Sequence, residues 1–293
     1  MKYVIYPGCL TLTEQYAYEL STRRVFEALG IELLTPENIS CCGAPLRSVN
    51  AYGWIYLAAR NMAVLEDEEA PAMILCNWCH LSFTHARKLL SEKEELRLWV
   101  NELLKEEDLE YRGDLEFKHL IEVLHDDIGI KVIAESVKVK LESITLSPHS
   151  GCQLIRPTEL GRPDNPVNPV KLSNLIEALG AKAVRHVGEL ECCGWAIYKT
   201  RVDAGLTLAG NRIKAASDAK VDGIIVVCPH GAEMLDGMQS EAGKAIGSKL
   251  ELPVLYYTQL LGLALGIEPK ELGLQLNRSP VERILERISI NSS

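Results

Sequence analysis

Two adjacent cysteines followed by a glycine, Cys41-Cys42-Gly43, recur as Cys192-Cys193-Gly194, and each pair sits inside a longer repeated spacing. The first set reads C-x31-CC-x33-C-x2-C through Cys9, Cys41, Cys42, Cys76 and Cys79. The second reads C-x39-CC-x34-C through Cys152, Cys192, Cys193 and Cys228. Cys152 follows Cys9 by 143 positions, Cys192 follows Cys41 by 151, and Cys228 follows Cys76 by 152. The sequence EALG keeps the same register at 27–30 and 177–180, just ahead of each vicinal pair. Such offsets mark a tandem repeat, read as modules over 1–142 and 143–275 with a tail helix over 276–293. Neighbouring α-carbons across a trans peptide stand about 3.8 Å apart. A relaxed disulfide needs roughly 4.4–6.8 Å, so neither vicinal pair reads as a bridge.

The secondary-structure signals repeat in the same order. KYVIY (2–6) and SITLS (143–147) read as strands, each ending in a turn that carries Cys9 or Cys152. A helix follows each. Thr11 and Glu14 predict a capping box for the first, and Leu172, Leu175, Ile176 and Leu179 form one apolar stripe of the second. GIELL (30–34) and AKAVRHV (181–187) predict strands ahead of the CCG turns. Helices near 51–66 and 196–217 then lead into AMIL (72–75) and GIIVV (223–227). Unbroken apolar runs of that length suit strands buried on both faces of a parallel sheet. The predicted class is α/β: two tandem, pseudo-repeated modules, each a mainly parallel sheet flanked by helices. Cysteine-bearing loops then fall at strand ends, where such folds collect ligands. The Pro-rich stretch 155–169 reads as a loop, and the charged segment 92–112 as a solvated or partner-facing helix. In the tail, Val281, Ile284, Leu285 and Ile288 make a stripe suited to packing on a neighbour rather than on lipid.

Hydrophobic content of 47% and a charged fraction of 24% describe an ordinary globular chain. The formal charge of −9 argues against a nucleic-acid partner, which favours a basic face. The longest apolar stretch, 260–267, falls well short of the roughly 20 residues a spanning helix needs. No signal-peptide pattern opens the chain, so the expected location is cytoplasmic. Nine cysteines in that compartment point to metal or redox chemistry more than to disulfides.

Cys76-Asn77-Trp78-Cys79 alone admits a zinc half-site, a thioredoxin-like pair or iron–sulfur ligands. A redox pair leaves Cys9, Cys41 and Cys42 without a role. Structural zinc takes four ligands and leaves one of the five thiols over. A polynuclear iron–sulfur group can use all five, with adjacent thiolates presenting their sulfurs to one side. The competing assignment is core packing, since free cysteine is often buried. Two matched patterns make that a poor account of all nine. Gly8, Gly43, Gly151 and Gly194 either let backbone approach sulfur or simply make tight turns. Trp78 and Trp195 either shield the sites from water or pack as ordinary core.

The five-cysteine pattern resembles the cysteine-rich CCG domain, found twice in the B subunit of heterodisulfide reductase and its relatives. Those relatives include reductase-like complexes of sulfur oxidisers, the extra subunit of some archaeal succinate dehydrogenases, and glycolate or lactate oxidase subunits. The resemblance spans nearly the whole chain. It implies a noncubane [4Fe–4S] cluster on Cys9, Cys41, Cys42, Cys76 and Cys79. The second motif departs from the family, because Gly231 stands where the last cysteine belongs. Cys152, Cys192, Cys193 and Cys228 remain, enough for a variant or smaller iron–sulfur cluster. His230 and His149 are further candidate ligands or ordinary histidines. The resemblance implies electron transfer and thiol–disulfide chemistry at clusters between the modules. The implied partners are a ferredoxin-like iron–sulfur subunit of the C type, a flavin-containing subunit of the A type, and a disulfide or thiol substrate. The alternative is a non-catalytic relay or anchor subunit of a succinate dehydrogenase- or glycolate/lactate oxidase-type complex. No dinucleotide fingerprint and no ferredoxin-type cysteine run is present, so electrons must pass to or from another protein.

Overall fold

The computed structural model describes residues 1–68 and 70–291. The first half runs β1 (Lys2–Tyr6), α1 (Cys9–Thr13), α2 (Tyr16–Ala28), β2 (Glu32–Leu34), α3 (Ala51–Glu66), β3 (Ala72–Ile74), α4 (Asn77–Glu92), α5 (Glu94–Leu104), β4 (Phe117–His119), α6 (Leu120–Glu122) and α7 (Ile130–Ser136). The second runs β5 (Thr145–His149), α8 (Cys152–Ile155), α9 (Lys171–Ala178), β6 (Lys182–Ala183), α10 (Trp195–Tyr198), α11 (Val202–Asp218), β7 (Gly223–Val226), α12 (Pro229–Ala232), α13 (Gln239–Ile246), β8 (Val254–Tyr256), α14 (Tyr257–Ala264) and α15 (Glu282–Asn291). The strand orders match, β2-β1-β3-β4 and β6-β5-β7-β8, and every pairing is parallel. The chain is thus an α/β protein of two pseudo-repeated parallel sheets.

Strand periodicity decides how the halves join. Successive side chains on a strand point to opposite faces. Val4, Tyr6, Ala72 and Ile74 face the first half's own helices, packing with Trp54, Met62 and Phe83. Tyr3, Ile5, Met73 and Leu75 face the other way, into a core shared with Ile224, Val226, Tyr257 and Leu260 of the second half. Helix α2 packs on α14, and α9 packs on α6 and α7, so the exchange is reciprocal. The Tyr18 hydroxyl donates to the Val227 carbonyl at 3.0 Å, and its ring stacks on Tyr256 with centroids 4.1 Å apart. Ser21 and Thr258 share a buried hydrogen bond of 2.7 Å.

Several local expectations shift. The strand expected at 143–147 is β5, Thr145–His149, which carries His149 to the sheet's ligand-collecting end. The strand expected over 181–187 pairs only as Lys182–Ala183, and the helix expected over 196–217 is split into α10 and α11. No capping box forms at Thr11 and Glu14. Helix α1 starts at Cys9 with Gly8 as its N-cap, and Thr11 is buried inside the helix. Two three-residue strands, β4 and β8, are additional. Each ends in a capping residue, His119 or Tyr256, whose backbone N–H is taken by Glu122 or Gln259 at 2.8 and 3.0 Å.

The tail stripe packs within the chain itself. Val281, Ile284 and Ile288 are buried in the shared core, and Arg287 pairs with Asp222 at 3.0 Å. A Cβ at Gly223 would lie 2.8 Å from Ile284 Cδ1, so α15 rests directly on β7. Residues 292–293 of the expected tail lie outside the described residues. Ile284→Ala should lower stability by roughly 2–5 kcal/mol through the cavity it leaves, read as a fall in the denaturant midpoint at unchanged slope. Among the described residues no helix is long and apolar enough to cross a membrane.

Candidate metal centres

In the first half, Cys9 opens α1, Cys41 and Cys42 lie in the loop after β2, Cys76 is the N-cap of α4, and Cys79 lies in its first turn. All nine cysteines of the chain are free thiols. Cys9 Sγ and Cys41 Sγ stand 4.0 Å apart. Cys42, Cys79 and Cys76 extend the series, each near enough to the next to shift its acidity. Hydrogen bonds from Cys42 and then Cys9 hold the Cys41 thiol far below its ordinary pKa, and the Gly43 N–H adds to them. Burial pushes Cys76 up most strongly. Hydrogen bonds from Cys228, Cys79 and the N–H groups of Cys79 and Trp78 outweigh it, leaving Cys76 low. A helix N-terminus favours a thiolate in this way.

The second half repeats the arrangement. Cys152 opens α8, Cys192 and Cys193 precede α10, and Cys228 is the N-cap of α12. Cys192 is the low-pKa member, held down by hydrogen bonds from Cys152 and then Cys193. Gly194 N–H donates to its sulfur at 3.3 Å. Cys152, Cys192, Cys193 and Cys228 line a cavity of ≈ 40 Å³ together with His149 and Gly231.

The glycine of each CCG is required by the turn. Gly43 sits at φ 73° and ψ −6°, and Gly194 at φ 90° and ψ −10°, both in the left-handed region that side chains disfavour. A Cβ would stand 2.8 Å from Trp54 O in the first case and 2.2 Å from Gly205 O in the second. These glycines therefore pack the turn against α3 and α11 rather than making room for sulfur. Gly8 is the one that admits sulfur, since a Cβ there would lie 3.1 Å from Cys79 Sγ. Gly151 makes room for Asn77, whose amide donates to the Ser150 carbonyl at 2.7 Å across the two halves.

The two sets of thiols meet. Cys76 and Cys228, matched positions in the repeat, contact one another, and His230 Nδ1 lies 3.6 Å from one sulfur and 3.7 Å from the other. The three ligand atoms all lie within 4.8 Å of each other. Half-buried Trp78 and Trp195 close over this seam, with ring centroids 4.8 Å apart and 5.3 and 3.9 Å from His230. Trp195 Nε1 donates to buried Glu233, which also pairs with Lys199 at 2.9 Å. Sequence reasoning missed Glu233, and equally the buried His80, whose Nδ1 lies 3.1 Å from Arg162. Neither carries a local signal, because their partners are remote in sequence. The donor set fits a thiolate-bound polynuclear metal group. Five neighbouring sulfurs in the first half exceed what one tetrahedral ion uses, and Gly8 has no side chain to crowd Cys79 Sγ.

Comparison with known proteins agrees with this arrangement. The cysteine-rich domain family CCG matches residues 3–84 and 147–236. The chain is 31% identical to the B subunit of the ferredoxin:CoB-CoM heterodisulfide reductase of Methanosarcina mazei, covering 94% of this chain and 93% of that one. It is 32% identical to a protein of Archaeoglobus profundus named as like the B subunit of heterodisulfide reductase, covering 99% of each. It is also 30% identical to the 8-methylmenaquinol:fumarate reductase membrane anchor subunit of Wolinella succinogenes, over 94% of this chain and 96% of that one. Among solved structures, a hypothetical protein from Helicobacter pylori shares the fold, with a TM-score of 0.76 at 16% identity. That match takes in 94% of this chain and 51% of the other. With both vicinal-cysteine turns inside the matched segments, the chain belongs to the cysteine-rich CCG family, among the B subunits of heterodisulfide reductase and their relatives.

Proposed function

We propose that this chain is the iron–sulfur redox subunit of a heterodisulfide reductase-like complex, acting on disulfides or thiols where its two halves meet. In this reading the modules span 1–142 and 143–275, with the terminal helix in 276–293. Cys9, Cys41, Cys42, Cys76 and Cys79 hold a noncubane [4Fe–4S] cluster, and Cys152, Cys192, Cys193 and Cys228 hold a variant or smaller one. When bound, such groups supply single electrons and an iron at which sulfur can exchange. The observation that carries the reading is the contact of Cys76 with Cys228, which brings the two thiol sets to one seam.

The chain's own residues would do the rest. The N–H groups of Gly43, Trp78, Gly194 and Trp195 direct positive charge at sulfur, which sets how readily added electrons are held. Trp78, Trp195 and His230 keep water from the seam. Cys9, exposed at the start of α1, offers an edge for electron exchange with a partner. The partners are a ferredoxin-like iron–sulfur subunit of the C type and a flavin-containing subunit of the A type, and the setting is the cytoplasm.

Protein purified without oxygen should contain iron and acid-labile sulfide, with broad visible absorption bleached by reductant. Stoichiometric zinc and no sulfide would overturn the reading. The Wolinella relative, a membrane anchor subunit by name, favours a second reading in which the chain relays electrons and anchors a complex. Disulfide turnover by the complex assembled with its partner subunits separates the two, since a relay would bleach and recover without consuming disulfide.

A further inference from the structure

We infer that His149 supplies a nitrogen ligand to the metal group of the second half, in the place left by the missing fifth cysteine. This rests on the reading that the second set of thiols holds an iron–sulfur group. The repeat defines the comparison. Three residues before the first cysteine stand Tyr6 and His149, and three residues after Cys76 and Cys228 stand Cys79 and Gly231. Where the first half has a phenol and a thiol, the second has an imidazole and no side chain.

The geometry makes the exchange a compensation. Tyr6 is fully buried and its hydroxyl is spent on the Ser40 carbonyl at 2.6 Å, while the sulfur in that half comes from Cys79. His149, only 1% exposed, closes the space that Gly231 leaves open. A Cβ at Gly231 would stand 3.4 Å from His149 Cδ2 and 3.7 Å from Nε2, so the ring edge faces the point from which a cysteine would project. The ring lines the same cavity as Cys152, Cys192, Cys193 and Cys228. Its Nδ1 is buried with no hydrogen-bond partner among the described residues. That nitrogen lies across the ring from the Cδ2–Nε2 edge, so the nitrogen offered to the space beside Gly231 is Nε2. Burial, followed by the Arg212 charge, keeps the ring neutral, the form that binds metal. Arg212 Nη2 also donates to Ser147 Oγ at 2.9 Å and to the Pro148 carbonyl at 3.3 Å, which holds the strand end that aims the ring. His230 is differently engaged, with Nδ1 between Cys76 and Cys228 and its ring against Trp195. It serves the seam, and His149 serves the space beside Gly231.

Replacing a thiolate by a neutral imidazole removes one negative charge from the group and raises its potential, as histidine ligation does in Rieske centres. The test uses the whole chain, purified without oxygen and labelled with 15N-histidine, then reduced and examined by pulsed electron paramagnetic resonance. A 15N hyperfine coupling of directly ligated size is expected on one centre only. It should vanish in His149→Ala and persist in His230→Ala. Gly231→Cys combined with His149→Tyr recreates the pair of the first half. A Cβ at Gly231 makes only ordinary contacts beside the native His149, so Gly231→Cys alone should fold, and the pair of substitutions should lose the coupling and lower the second centre's potential. Two iron–sulfur centres without any 15N coupling in the unaltered protein would overturn the inference and leave the iron–sulfur reading standing. So would a coupling lost only in His230→Ala. A second half without iron would overturn both.

Discussion

On the proposed iron–sulfur reading, Cys42→Ser is expected to strip the first half of its iron while the second half keeps its own. Cys42 is 3% exposed and is coupled electrostatically to both Cys41 and Cys79, so it links the vicinal pair to the helix α4 thiols. A serine hydroxyl is a hard, poorly acidic donor where iron–sulfur groups use soft thiolate. It would also be buried where its neighbours are thiols rather than good hydrogen-bond acceptors. Loss of an outer-shell partner alone typically weakens metal binding roughly 10–100-fold, and loss of a direct ligand should exceed that. Cys41→Ser should act in the same direction, since Cys41, like Cys76, is a low-pKa thiol of the set. The check is iron and sulfide per chain, with Cys193→Ser as the matched variant that should remove the other share. Wild-type iron and spectra in both Cys41→Ser and Cys42→Ser would show that the vicinal pair does not ligate. Because metal binding is also folding free energy, the same variants should melt earlier than the loaded protein and close to the metal-free one.

Gly194→Ala is expected to destabilise the chain even without metal. Alanine at φ 90° incurs about 1–2 kcal/mol of left-handed strain. Its Cβ would also lie 2.2 Å from Gly205 O, a backbone atom of α11 that cannot rotate away. Relieving that overlap requires the CCG turn and α11 to separate, adding roughly 1–3 kcal/mol as overpacking usually does. The expected total, on the order of 3 kcal/mol, is a large part of the roughly 5–15 kcal/mol that holds a domain folded. Gly43→Ala should fall in the same direction but less far, because its nearest obstacle, Trp54 O, is 2.8 Å away. Gly231→Ala, with no contact closer than 3.4 Å, is the control and should change little. Denaturant midpoints of the metal-free proteins test the order. A Gly194→Ala midpoint equal to the control would mean that the glycine serves the metal group alone.

Much was readable along the chain because it is local. The repeated spacing of Cys9, Cys41, Cys42 and Cys76 in Cys152, Cys192, Cys193 and Cys228 needs no contact to be seen. The apolar runs at 72–75 and 223–227 correspond to β3 and β7, and 51–66 matches α3. Buried strands and long helices write their periods into consecutive residues. Strand β4 escaped because Phe117-Lys118-His119 is not an apolar run, and β8 because Val254-Leu255-Tyr256 runs straight into the apolar helix α14; the pairing of each is set by β3 and β7. The start of α1 depends on a backbone angle at Gly8 rather than on the side-chain cap that Thr11 and Glu14 imitate. The tail stripe was legible as something that packs, but not as packing on its own chain over Gly223. Meeting of Cys76 with Cys228 belongs wholly to the tertiary structure. It follows from Tyr3, Ile5, Met73 and Leu75 turning to the second half, and from α2 seating on α14. An apolar side chain specifies that it will be buried, because leaving water is favourable whatever covers it. Which of two apolar faces meets which partner is decided only when the whole chain packs.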